Sequence, residues 1–87
     1  MNQEFIEQTI ESTKSDLVFH EKSLKEYEVT LAGLEVLEEA NPTHSSIPRM
    51  RKETEDQVKW YQSRIVFDHN MLDVLYSARD LTNNPPI

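Results

Sequence analysis

Between Gln3 and Ala40 the apolar residues fall on a seven-residue grid. One row is Ile10, Leu17, Leu24 and Leu31; a second, offset by three or four positions, is Ile6, Thr13, His20, Tyr27 and Leu34. Together the rows predict a long helix carrying an a/d seam over about four heptads. Asn2 reads as its N-cap, and Glu4 and Glu7 sit favourably against the positive end of the helix dipole. The stretch Asn41 to Pro48 interrupts the pattern, because Pro42 disfavours helical geometry at Asn41, while Ser45 or Ser46 can cap a second helix and Pro48 is tolerated in a first turn. Beyond it lies a second grid, with Val58, Ile65 and Leu72 in one row and Thr54, Tyr61, Asp68 and Leu75 in the other. The predicted elements are helix 1 over about 3–40, a loop over 41–47, helix 2 over about 48–82 and a flexible tail at 83–87, with residues 1–82 as a single domain.

Two long helices joined by a short loop become antiparallel neighbours, so the predicted fold is all-α: a coiled-coil-like two-helix hairpin. Packing a rows against d rows requires paired residue numbers to sum to a constant, and the values that suit the loop are 85 and 92. The first sets Tyr61 against Leu24 and the second sets it against Leu31. Either places Asp68 within about a turn of His20.

The hairpin does not account for all the apolar residues. On a helical wheel Trp60, Phe67, Met71, Val74, Ala78 and Leu81 form a second stripe, well away from the seam of helix 2. Helix 1 adds Phe5 and Phe19 outside its own seam. A solitary hairpin would leave this surface in water, so the expected assembly is a helical bundle formed by self-association, with a different protein as the alternative cover. Trp60 is the expected interface anchor.

Composition narrows the picture. The 87 residues make one small domain at most. A single glycine and four prolines leave too little turn chemistry for an all-β chain. With no cysteine there is no disulfide framework or thiolate site. The chain lacks a transmembrane-length apolar run and the basic-then-apolar pattern of a secretory signal, so the expectation is a cytoplasmic protein with no membrane partner.

Candidate chemistry is sparse. His20 and Asp68 are polar residues on opposing seam positions; they read as a register-fixing pair, with a proton relay or a metal site as the rival. A carboxylate-bridged metal bundle needs Glu-x-x-His pairs, and the residues three before His20, His44 and His69 are Leu17, Asn41 and Val66. No serine lies in a glycine-rich elbow, and the only glycine, Gly33, is inside helix 1. No enzyme, metal or cofactor is therefore expected. Gly33 reads first as a place where a neighbouring helix comes close, and second as a bend.

Charge is unevenly divided. Residues 1–40 hold ten acids and three bases, while residues 41–87 hold six of each, so the net charge of −7 belongs to helix 1. Glu7, Glu21, Glu28 and Glu35 occupy one heptad row. They read as a solvated face or, alternatively, as a phosphate-imitating surface that fills the basic groove of a nucleic-acid-binding protein. Direct nucleic-acid binding is disfavoured by the net charge. At the tip, Arg49, Arg51 and Lys52 either neutralise Glu35, Glu38 and Glu39 or, with His44, Ser45 and Ser46, form an anion site.

In general character a small, acidic, cysteine-free helical chain without catalytic motifs resembles many bacteriophage accessory and anti-defence proteins, an analogy of type that implies blocking of a partner. The expected function is a non-enzymatic, homo-oligomeric protein-interaction module. The alternatives are an acidic nucleic-acid mimic and an oligomer that sequesters a small phosphate-bearing ligand.

Overall fold

A computed structural model describes residues 3–83. It has two helices, α1 (Gln3–Ala40) and α2 (Ser46–Asn83), of 38 residues each. They pack antiparallel into a rod of 69 × 16 × 14 Å. The length comes from the helix rise, since 38 residues at about 1.5 Å each reach about 57 Å before the loop is added. Asn2 and residues 84–87, including the expected N-cap and most of the expected tail, lie outside the described residues.

The loop is shorter than the sequence pattern predicts. α1 stops at Ala40, where the Asn41 amide N–H donates to the Leu37 carbonyl at 2.9 Å and the Asn41 side-chain amide donates to the same oxygen at 3.0 Å. The turn is tightened by the His44 N–H donating to the Asn41 carbonyl at 3.1 Å. α2 then begins at Ser46 rather than at Pro48, with Pro48 inside the first turn, where its missing N–H is harmless. The early start has a packing reason: Ile47 is buried and so belongs to the hairpin core rather than to the loop. The helix also starts against an unexpected acceptor, since the Ser46 N–H donates to His44 Nδ1 at 3.3 Å.

The seam predicted from the heptads is the one that packs. Ile6, Ile10, Thr13, His20 and Leu34 are buried on α1, and Ile47, Val58, Asp68, Leu72 and Leu75 on α2. Ile6, Ile10, Leu72 and Leu75 form the main apolar cluster, at the end of the rod remote from the loop, with Leu17, Met71, Tyr76 and Ala78 packed against it.

The register is neither 85 nor 92. His20 meets Asp68 and Tyr27 stacks on Tyr61, pairs that both sum to 88, while Glu38 meets Arg51 and Glu7 meets Arg79 close to that value. The chain therefore aligns its polar and aromatic row with the equivalent row on the other helix instead of alternating a and d rows. The reason lies in the buried polar groups: separating His20 from Asp68 by a turn would leave both without partners in an apolar seam, which is more costly than imperfect alternation of leucines. Leu17, Leu24 and Leu31 are in consequence only half-buried, and Ser23, off the predicted grid, is buried.

Gly33 admits no close neighbour. A methyl group added there would meet nothing within 4 Å, so the close-approach expectation fails within the hairpin. The missing side chain is used by nothing in the described structure.

Candidate functional site

The largest unexplained feature is the apolar surface on one side of the rod. Trp60 is 51% exposed, Phe67 45%, Val74 64% and Leu81 63%, and from α1 Phe5 is 55% and Phe19 59% exposed. Met71 and Ala78, expected to share this stripe, are half-buried, because they also pack on the Ile6, Ile10, Leu72 and Leu75 cluster. The stripe is thus the outer flank of the core. Its exposure is dictated by geometry, since a single partner helix shields only one side of α2.

Its aromatic end is locally ordered. The Phe19 ring lies 5.7 Å from the His20 ring and the Trp60 ring 6.0 Å from it, both edge-on. Trp60 and Tyr61, adjacent in sequence, are edge-to-face at 4.9 Å, which directs Tyr61 into the seam and Trp60 outward. The Arg64 guanidinium sits 4.5 Å from the centre of the Phe67 ring and 5.9 Å from that of Trp60, a cation–π arrangement that fixes both rings on the surface. Arg64 was missed in the sequence, although its positions four after Trp60 and three before Phe67 are the helical spacings at which side chains meet.

Beneath these rings lies the polar layer. His20 Nδ1 is 2.6 Å from Asp68 Oδ2, and Asp68 is only 1% exposed. The His20 ring also faces Tyr61 at 5.9 Å, and Tyr61 stacks on Tyr27 at 5.5 Å. Every buried side-chain nitrogen and oxygen among the described residues has a hydrogen-bond partner. Two grooves open nearby, one lined by Phe19, Ser23, Glu26, Tyr27, Thr30 and Tyr61 and one by Asp56, Gln57, Trp60 and Tyr61; His20 and Asp68 line neither. The pair joins the two helices across the seam. Among the described residues no three His, Cys, Asp or Glu side chains come together as a metal site.

At the tip, the basic residues meet carboxylates. Arg51 donates to Glu38 across the hairpin and to Glu55 one turn along α2, the latter at 2.6 Å. Those two carboxylates, Glu38 foremost, hold the Arg51 guanidinium above its ordinary pKa. Arg49 pairs with Glu53 at 3.1 Å and Lys52 with Asp56 at 3.8 Å. Of the three glutamates expected to neutralise the tip, only Glu38 forms an ion pair with these bases; Glu35 and Glu39 line the same shallow groove beside Arg51. His44 Nδ1 is engaged with the Ser46 N–H, and nothing in the structure draws Ser45 toward the bases.

The acidic row is broken up in a similar way. Glu7 pairs with Arg79 at 3.6 Å, and Glu21 and Glu28 border a groove that also holds Lys22 and Lys25 over Val18, Leu24 and Ile65. Lys14, which interrupts the row, is held above its ordinary pKa by Glu11 first and Tyr76 next.

No family model matches the chain, and neither a curated protein nor a solved structure matches it. Among the described residues no helix is long and apolar enough to cross a membrane. The fold is established as an all-α helical hairpin.

Proposed function

We propose that this protein is a non-enzymatic helical-hairpin interaction module that associates with itself through the Trp60 side of the rod and acts by binding or blocking a partner protein. One observation carries the reading: a row of large apolar side chains, rings included, stays about half in water along α2 and is continued by Phe5 and Phe19 on α1. An exposed apolar surface of that extent marks an interaction site on a soluble domain. Small domains with thin cores commonly gain stability by associating. The acidic-mimic alternative is weakened by Arg79, Lys22 and Lys25 beside the acidic row. The ligand-sequestering alternative is weakened by the carboxylates that face each cation at the tip.

The test is particle mass by light scattering across a wide concentration range. Trp60→Glu and Phe67→Glu, each at an exposed position, are expected to reduce the particle to a single chain while circular dichroism still reports helix. The triple change Glu21→Lys, Glu28→Lys, Glu35→Lys is expected to leave the mass unchanged. A wild-type chain that stays single at all concentrations would remove the self-association reading. Loss of partner capture by the acidic-face variant alone would favour the mimic.

A further inference from the structure

The exposed surface carries a repeat of its own. Trp60, Phe67, Val74 and Leu81 stand seven apart in one row of α2, and Arg64, Met71 and Ala78 stand seven apart in the row beside it. That is a second a/d-like seam over about three heptads, the pattern by which one helix recognises another. It runs from the middle of α2 to the end remote from the loop. Toward the tip the first row continues as Glu53, and the matching row on α1, from Phe5 and Phe19, continues as Glu26 and Gly33.

We propose that the occupant of this face is a second copy of the chain, related by a two-fold axis that passes close to Met71 and runs across the rod, so that the two hairpins lie antiparallel. This rests on the self-association reading above and adds to it an orientation and a pairing. Side-chain size decides the orientation. The row starts with two large rings and ends with two smaller aliphatic residues. A crosswise axis sets Trp60 against Leu81 of the partner subunit and Phe67 against Val74 of the partner subunit. Met71 then meets its own copy and Arg64 meets the partner's Ala78, so every layer combines a larger and a smaller side chain or two of middle size, as close packing requires. A lengthwise axis would instead stack Trp60 on Trp60 and set Arg64 against its own copy, crowding one end, starving the other and juxtaposing like charges.

The area suffices. Taking roughly 150–250 Å² for each aromatic side chain and somewhat less for valine and leucine, the half-exposed residues of the face leave on the order of 600 Å² per copy uncovered. Two copies would bury roughly 1,200 Å², the lower bound for a stable, specific interface. The crosswise arrangement covers the Trp60–Leu81 row of each rod and leaves both tips projecting, about 80 Å apart by helix rise. It also keeps Glu53 beyond the overlap rather than against the rings.

Because the chain has one tryptophan and no cysteine, Trp60 reports its own surroundings and single labels are unambiguous. A chain carrying Trp60→Phe and Thr82→Cys, labelled with a nitroxide, is mixed in excess with unlabelled wild-type chain, so that only the unlabelled copy emits. In the antiparallel pair residue 82 of the labelled copy lies beside the wild-type Trp60, and most of its fluorescence is expected to be lost. A second labelled chain, carrying Trp60→Phe and Gln57→Cys, is expected to leave it unchanged. Both label sites are exposed, and retained helicity of each variant is checked by circular dichroism. Quenching by the residue-57 label and not by the residue-82 label would overturn the antiparallel arrangement while leaving self-association intact. A mixed particle with quenching by neither would overturn the face itself, and a particle with the mass of one chain would overturn both this proposal and the reading beneath it.

Discussion

Asp68 is the residue on which the hairpin's alignment depends. It is the most enclosed ionisable group in the described structure, and its partner His20 comes from the other helix. Removing one member of such a pair leaves the other desolvated without compensation, whereas replacing both with apolar groups removes the polar requirement altogether. Asp68→Ala is therefore expected to destabilise the fold by about 3 kcal/mol in urea unfolding, and His20→Leu with Asp68→Leu to recover most of that loss. The recovered variant should be less certain of its alignment. With the polar requirement gone, the leucine rows are free to adopt the alternating registers, and the Tyr27–Tyr61 stack should weaken in near-ultraviolet circular dichroism. Equal destabilisation by the single and double changes would show that the pair has no alignment role.

At the scale of the elements, the heptads in the sequence located both helices to within about two residues and identified the seam residues, because periodicity is a property of local sequence. The sequence did not reveal how the two helices slide past each other. That depends on the comparison between leucine interdigitation and a single His–Asp contact, an energy difference carried by side chains far apart in the chain. The loop was misjudged for a related reason: Ile47 was counted as connection, but its burial against α1 draws it into the first turn of α2. The stripe was legible from the wheel, but the partial burial of Met71 and Ala78 was not, since it depends on where the core cluster falls in the actual register. Gly33 illustrates the limit of local inference. A glycine within a helix suggests contact, yet its surroundings are open. Gly33→Ala should accordingly stabilise α1 by roughly 0.5–1 kcal/mol through propensity alone, a rise of roughly 2–8 °C in the thermal midpoint. A fall would mean that the associated form brings a second helix close to this position.

For the whole molecule, the relevant quantity is how little a rod can bury. Two helices have one shared side, and the remaining perimeter of each is open to solvent or to another molecule. The Trp60–Leu81 stripe of that perimeter runs from the middle of α2 to its end remote from the loop, while the charges of Arg49, Arg51 and Lys52 with their acidic partners lie at the tip. Association through the first should make the thermal midpoint rise with protein concentration, by mass action, and Trp60→Glu should abolish that dependence. The net charge of −7 adds mutual repulsion between copies, so added salt should shift the same equilibrium toward the associated form. Dispersal by salt instead would point to contacts between opposite charges as the main attraction.

Ile6, Ile10, Leu72 and Leu75 gather at the open end of the rod, where chain closure is entropically hardest because the residues that must meet are the most distant in sequence. By setting its best-buried cluster at that point, the molecule fastens the two open helix ends like a clasp and leaves the stretch toward the loop to the His20–Asp68 contact, the tyrosine stack and, nearest the loop, the buried Leu34, Ile47 and Val58. Amide exchange should therefore be slowest at the two ends of the rod and faster in the middle around Leu24 and Ile65, so that the hairpin breathes as a bow does, from its belly.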